Sequence, residues 1–377
     1  MPKHNIILYS AGLGYINRGL ETFTRELYEA LNYETNINVI LFHGFGNVID
    51  GAMPIWTPKR NSKLYNFLPF KHLQKQSYRT ENIVFSLPIV FYCYNNHHQI
   101  IHFSETIPAN ILYHLRHRFG GSFKLLFSNG GPASPQHYQR YDYVQVLTPG
   151  QKQEALESGY PESRLFLVPY GLNCNLFSTQ LSPEEVEIKR RLRHLPTDRS
   201  VILSVGAVNT SHKRMDWLIK EFSQLDPSQF FLWIVGQPEE ETQKVKALAQ
   251  ALLKPDSYRF EVIPYSQMPG VYAIADYFVL CSLREGFGRV YLEAMVSGLI
   301  AIAHRNINTE WIMGLDNSGL IDMTKPNRLK EAILQLHNSP LISRARAKLN
   351  KDSAIQRFSW QVLRHEYIKM YEQIDTL

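Results

Sequence analysis

The sequence predicts an α/β protein made of two Rossmann-like, doubly wound domains facing a central cleft. Three observations predict it. The chain has 377 residues, more than a single hydrophobic core organises, since cores stop growing at about 250–300 residues. Short β-branched and aromatic runs alternate with amphipathic stretches from the first residues onward, the pattern of parallel strands joined by helices. The alternation stops in a charged stretch near the middle and then restarts. Ligands of such domains sit near the carboxyl ends of the strands, so chemistry is to be sought in the loops that follow strands.

In the first domain "NIILYS" (5–10) is the opening strand, and "AGLGYINRG" leads from it into a helix with Phe23, Leu27 and Leu31 four apart. Further strands are "INVILF" (37–42), "IIHF" (100–103), "KLLF" (124–127), "YVQVL" (143–147) and "RLFLVP" (164–169). The most apolar window, "NIVFSLPIVFYCY" (82–94), is broken by Pro88 and falls short of the roughly 20 residues of a spanning helix; it reads as buried core. The segment 179–199, "TQLSPEEVEIKRRLRHLPTDR", holds many charges and few large apolar residues. The inter-domain connection belongs there, which sets a first domain of residues 1–180 and a second of 195–357.

The second domain restarts with "SVILSVG" (200–206), a helix carrying Leu218, Phe222 and Leu225, and "FFLWIVG" (230–236). Its later strands are "RFEVI" (259–263), "YFVLC" (277–281) and "LIAIA" (299–303). The last helix, within 358–377, has Trp360, Leu363, Tyr367 and Tyr371 at spacings of three and four. It follows a completed sheet and must pack against something already built.

Forty basic side chains against thirty-four acidic ones give a formal charge of +6, a mild surplus that favours anionic partners without specifying them. There is no RNA-binding aromatic signature, zinc-finger spacing or long basic tail, so nucleic acid is not expected as a partner. Cys93, Cys174 and Cys281 stand far apart, which argues against a disulfide framework or a cysteine zinc site. With an N-terminus that passes straight into a strand, the expectation is a cytoplasmic protein.

The stretch "LREGFGRVYLEAMVSG" (283–298) follows a strand, so Gly286 and Gly288 lie in a strand-to-helix turn where a ligand can approach the backbone. The helix start beyond them attracts an anion such as a diphosphate. Glu293, about one turn inside that helix, suits the vicinal diol of a ribose, and Glu285, ahead of it, suits hydroxyls beyond the phosphates. The alternative is an exposed Arg289–Glu293 pair with Glu285 favouring the helix start. Against it, "VYLEAMVSGLIAIA" is nearly free of other charge, and a buried acid needs a partner. Lys213 and Arg214 precede another helix, where cations oppose the macrodipole unless an anion lies between. The first loop, with Gly12, Gly14 and Gly19, departs from G-x-G-x-x-G spacing and is weak evidence by itself.

Together these loops resemble the retaining, nucleotide-sugar-dependent glycosyltransferases of family 4, which have the GT-B fold. The most specific match is Glu285 to Glu293, similar to the family's E-x7-E element in its "EGFG…LEAM" setting. "RGLETFTRELYEAL", "VPYGLNCNLF" and "SVGAVNTSHKRMDWLI" support it in the family's order. The resemblance implies sugar transfer to a hydroxyl acceptor with retention, an acceptor-binding first domain, a donor-binding second domain, and a terminal helix crossing back onto the first. It implies Lys213 on the diphosphate and Glu285 on the donor sugar as catalytic residues. Gly286, Phe287, Gly288 and Glu293 are implied as donor-binding, Gly19 lies against the donor, and Arg214 is a further phosphate candidate. Where many relatives carry an arginine ahead of the lysine, this chain has Ala207, Asn209 and His212.

Glu105, Asn129 and His137, near first-domain strand ends, are acceptor-side candidates. No D-x-D triplet occurs, so no metal or other cofactor is expected. Residues 59–79 hold six Lys or Arg and no acid among Leu, Tyr and Phe; they suit peripheral contact with an anionic membrane or a solvated acceptor loop. Two other classes fit the architecture: a sugar-nucleotide epimerase, and a nucleotide-sugar-binding protein without turnover.

Overall fold

Strands that are apolar on both faces bury both faces, and this chain arranges them as two parallel sheets covered by helices. The computed structural model describes residues 4–16, 19–46, 48–57, 77–97, 99–131, 133–315 and 317–376. The chain divides into two units, residues 1–171 with 360–377, and residues 172–359.

The first unit's sheet contains β1 (His4–Ser10), β2 (Ile37–Gly44), β3 (Met53–Ile55), β4 (Gln99–Phe103), β5 (Lys124–Ser128), β6 (Tyr143–Val146) and β7 (Leu165–Leu167). Their order is β3-β2-β1-β4-β5-β6-β7, every pairing parallel. The second sheet contains β8 (Ser200–Val205), β9 (Phe230–Val235), β10 (Tyr258–Glu261), β11 (Tyr277–Leu280), β12 (Ile300–His304) and β13 (Leu320–Ile321), ordered β10-β9-β8-β11-β12-β13. Strand order reverses between β1 and β4 and between β8 and β11. Each reversal splays two loops apart at the carboxyl ends, where a ligand fits.

Three particulars differ from the sequence reading. The edge strands β3 and β13 are three and two residues long, too short to leave a periodic signal. The segment 179–199 lies in the second unit and carries the helix Pro183–Leu192, started by a capping box between Ser182 and Glu185. Its charges are partly internal: Arg190, 7% exposed, donates to Asp276 Oδ2 at 2.7 Å and to the Ile274 carbonyl at 2.8 Å. The apolar window 82–94 is not buried throughout, because it forms one helix, Ser77–Asn95, that buries Phe85, Ile89 and Cys93 and leaves Leu87 and Phe91 66% and 74% exposed. Residues 59–76 of the basic stretch, and His98, lie outside the described residues. Among the described residues no helix is long and apolar enough to cross a membrane.

The last helix, Trp360–Thr376, belongs to the first unit. Trp360 Nε1 donates to Glu26 Oε2 at 2.7 Å, and Lys124 Nζ donates to the Ile374 carbonyl at 2.5 Å. Deeper, the helix meets β4 and β6 through a closed polar chain. The His102 ring nitrogens lie 2.8 Å from the Tyr371 hydroxyl and 2.7 Å from Gln145 Oε1. Gln145 Nε2 donates to the Tyr367 hydroxyl at 2.7 Å, which donates onward to the Pro169 carbonyl at 3.1 Å. All four side chains are at most 3% exposed, so each needs these bonds to offset its desolvation.

Burial holds the His102 imidazole down at about 4, with the Gln145 hydrogen bond opposing the shift. As pH falls the unfolded chain binds this proton first, so the stabilisation is complete above the ordinary histidine value of about 6.5 and is lost progressively toward pH 4. Over that window His102 contributes about 3 kcal/mol. Urea midpoints measured from pH 7 to pH 4 should fall more steeply for the native chain than for His102→Asn; parallel profiles would remove the histidine from the acid response.

Candidate functional site in the second unit

β8 and β11 are hydrogen-bonded neighbours, with Ile202 opposite Tyr277 and Leu203 opposite Phe278. The loops that leave their carboxyl ends, 206–214 and 281–288, therefore emerge side by side although they are some seventy residues apart in sequence. This adjacency brings Lys213 to Glu285: Nζ donates to Oε1 at 2.6 Å, with the two side chains 15% and 12% exposed. His212 Nε2 lies 3.7 Å from the same oxygen and 3.1 Å from the Arg284 carbonyl.

The Lys213 loop is held from below. Gly206, at φ +157°, leaves the space in which the lysine stem runs, its Cδ and Cε 3.2 Å from where a Cβ would stand. Asn209 Oδ1 accepts the Lys213 and His212 N–H groups at 2.7 and 3.2 Å, and Asn209 Nδ2 donates to Glu239 at 2.7 Å. Glu241 accepts the N–H groups of Thr210 and Ser211 at 2.9 and 3.0 Å and their hydroxyls at 2.8 and 3.0 Å. These bonds, the Ser211 N–H foremost, hold the Glu241 carboxyl down at about 2. Glu239 and Glu241 thus order the loop, a role no local pattern in their acidic run signals.

Arg214 takes another direction. Its backbone is left-handed, φ +50° and ψ +44°, a conformation costing about 1–3 kcal/mol outside glycine. Its guanidinium donates to the Met323 and Cys281 carbonyls at 3.0 and 3.4 Å and lies 5.0 Å over the Trp217 ring. It does not join the Lys213–Glu285 pair.

Gly286, Phe287 and Gly288 form the turn after Glu285. Phe287 is buried and packs 6.0 Å from the Phe358 ring, while Gly288, at φ +73° and ψ +47°, precedes the helix Arg289–Val296. A Cβ at Gly288 would stand 2.6 Å from the Tyr291 ring, so only glycine fits both the space and the conformation. Glu293 lies inside the helix, 3% exposed. Its Oε1 accepts the Tyr265 hydroxyl at 3.0 Å and its Oε2 the Tyr272 hydroxyl at 2.8 Å. Arg289 Nε is 3.5 Å away, and both side chains are buried, so the pair is not the exposed one considered from sequence. Burial, and then the Glu293 charge, push the Tyr272 phenol well above its ordinary value, which keeps it a donor to the carboxylate. Glu285 and Glu293 therefore occupy two distinct polar sets linked by the glycine turn. Tyr265 and Tyr272 were not signalled by sequence, because they reach Glu293 from other elements.

In the first unit Gly19 opens the helix Gly19–Leu31 with open space where a Cβ would be. Glu105, after β4, accepts the Ala11 N–H at 2.6 Å. Asn129, after β5, donates to the Tyr138 hydroxyl at 2.5 Å, and its Oδ1 is buried without a hydrogen-bond partner. His137 is exposed on the turn Pro135–Arg140, its Nδ1 3.3 Å from the Ser134 carbonyl. Sequence reasoning missed Ser10 and His43, in register on β1 and β2, whose Oγ and Nε2 are also buried without partners.

Residues 185–354 match the family Glycosyl transferases group 1. Mannosylfructose-phosphate synthase of Agrobacterium fabrum is 30% identical over 172 residues, 43% of this chain and 37% of that protein. The lipopolysaccharide core biosynthesis glycosyltransferase LpsE of Rhizobium meliloti is 25% identical over 195 residues, 52% of this chain and 53% of that protein. The chain thus spans between 37% and 53% of these relatives' lengths. Sucrose-phosphate synthase of Thermosynechococcus elongatus superposes with a TM-score of 0.79 at 21% identity, covering 99% of both chains. Anabaena HepE in complex with UDP and glucose gives 0.77 at 16% identity, covering 99% of this chain and all of the other. These likenesses show the fold, two parallel doubly wound units of GT-B type. The matched residues lie within the second unit and include both Lys213 and the Glu285–Glu293 turn, so it is this unit that is similar to the Glycosyl transferases group 1 family.

Proposed function

We propose that the protein transfers a sugar from a nucleoside-diphosphate donor to a hydroxyl acceptor with retention of anomeric configuration. The observation that carries this reading is the Lys213–Glu285 contact of 2.6 Å between the loops at the β8–β11 reversal. A cation and a carboxylate meet there beside a glycine turn and a helix start. The complexes of Anabaena HepE with UDP-glucose favour a uridine diphosphate donor for this chain too.

Departure of the diphosphate leaves negative charge that Lys213 and the helix start after Gly288 are placed to stabilise. Lys213 then exchanges its carboxylate partner for a phosphate oxygen, and Glu285 is released to the sugar hydroxyls. Glu293 takes the ribose diol. Its two oxygens already accept the Tyr265 and Tyr272 hydroxyls. Tyr265, half-buried over it, must share or yield its place. The first unit supplies the acceptor side, for which the orphaned Asn129 Oδ1 is a hydrogen-bond acceptor, with Glu105 and His137 as further candidates; Gly19 is a further donor-binding candidate. For the basic stretch 59–79, the exposed Leu87 and Phe91 of the helix Ser77–Asn95 support contact with an anionic membrane.

Lys213→Ala should lower turnover by about 10²–10³, some 2.7–4 kcal/mol, with melting temperature retained; turnover near the native rate would exclude the lysine from the mechanism. Donor-dependent glycosylation of a hydroxyl acceptor supports transfer, isomerised sugar from donor alone supports epimerisation, and tight donor binding without product supports a binding protein. Glu293→Gln should raise the KM for a UDP-sugar about tenfold or more, as loss of a charge-assisted hydrogen bond of about 1.5–3 kcal/mol requires. A variant that melts earlier while keeping its KM would confine Glu293 to a structural role.

A further inference from the structure

The amino ends of the second sheet, away from the glycine turn, border an open cleft of about 760 Å³. Ser200, Tyr277 and Ile300, the first residues of β8, β11 and β12, line it on one side. The helix Pro340–Phe358 lines it on the other with Arg344, Lys348 and Lys351. Spacings of four and three put these cations on one helix face, where neighbouring like charges repel. Among the described residues none of the three forms an ion pair, and Lys351 reaches only the Ser178 carbonyl, at 3.5 Å.

The one carboxylate lining the cleft does not balance them. Asp276 Oδ2 already accepts Arg190 Nη2 and the Val201 N–H, each at 2.7 Å. Three helix ends also border the cleft, marked by Ala273, Ser297 with Gly298, and His337. Each contributes about −0.5 charge at most, which leaves about half of the three positive charges uncompensated.

We propose that this cleft binds a small phosphorylated molecule, with Arg344, Lys348 and Lys351 on the phosphate. The volume lies within the 300–1,000 Å³ usual for small-ligand sites. A phosphate carries up to two charges on three oxygens and so satisfies several cations at once. The site stands at the far end of the helix Arg289–Val296 from the Gly288 turn, about 12 Å along an eight-residue helix, and does not depend on the donor reading.

Inorganic pyrophosphate titrated calorimetrically into the full chain at constant ionic strength tests it. Binding should survive Lys213→Ala, which removes the donor-side cation, and weaken at least tenfold in Arg344→Gln/Lys348→Gln. Both substituted side chains are exposed; if the double variant melts early, Lys348→Gln alone should weaken binding several-fold. Vesicles of phosphatidylglycerol and phosphatidylcholine form a parallel arm. Sensitivity of pyrophosphate binding to the substitutions identifies a soluble phosphate ester, and the same sensitivity confined to vesicle binding identifies a lipid headgroup. Affinities for both probes that ignore the substitutions, or pyrophosphate binding abolished by Lys213→Ala alone, overturn the proposal.

Discussion

The pairing of β8 with β11 is the constraint on which the second unit's chemistry depends. The parallel register that sets Ile202 opposite Tyr277 and Leu203 opposite Phe278 fixes the relative height of two strands, and thereby the height at which two distant loops leave the sheet. Nothing local makes a lysine at 213 meet a carboxylate at 285. Once the register is set, the remaining freedom is small, because Asn209 and Glu241 hold the first loop by its backbone and Gly288 admits only one form of the second. A sheltered ion pair is costly to desolvate and strong only when its geometry is held. Here the scaffold supplies that geometry before any ligand arrives, which is what electrostatic stabilisation of a leaving group requires.

Glu293 presents a different balance. A carboxylate at 3% exposure persists because two phenols and a guanidinium surround it. Burial keeps Tyr272 protonated, so the donor to this acid cannot be lost at any ordinary pH. The same residues that make the acid tolerable also cover it, and any ligand reaching it competes with Tyr265, the less buried of the two phenols.

Much of this was legible in the amino-acid order, and what was not has identifiable causes. Strands such as β8, β9 and β11 are short apolar runs bounded by glycine or charge, so their existence and parallel arrangement follow from pattern. β3 and β13 are too short to carry a period. The window 82–94 misled because a helix with apolar residues on both faces resembles a buried one, and the exposure of Leu87 and Phe91 is decided by what packs against it. The glycine turn and the Lys213 loop were readable as loops after strands. Their supports, Glu241, Tyr265 and Tyr272, were not, because each contacts the site from twenty or more residues away. Nor could spacing reveal that Arg214 turns from Lys213, since that rests on one left-handed residue.

The chain leaves the first unit at Gly171 and comes back to it only at Trp360, after the whole second unit has been threaded between. On a ribosome, the first sheet therefore emerges with the seat of its final helix empty. Phe23 and the polar edge of His102 and Gln145 wait for Trp360, Tyr367 and Tyr371, which are made only after the whole second unit. The second unit, contiguous from 172 to 359, can finish folding first, so the N-terminal half is the part that spends longest with open apolar surface and the part that a holding chaperone would engage.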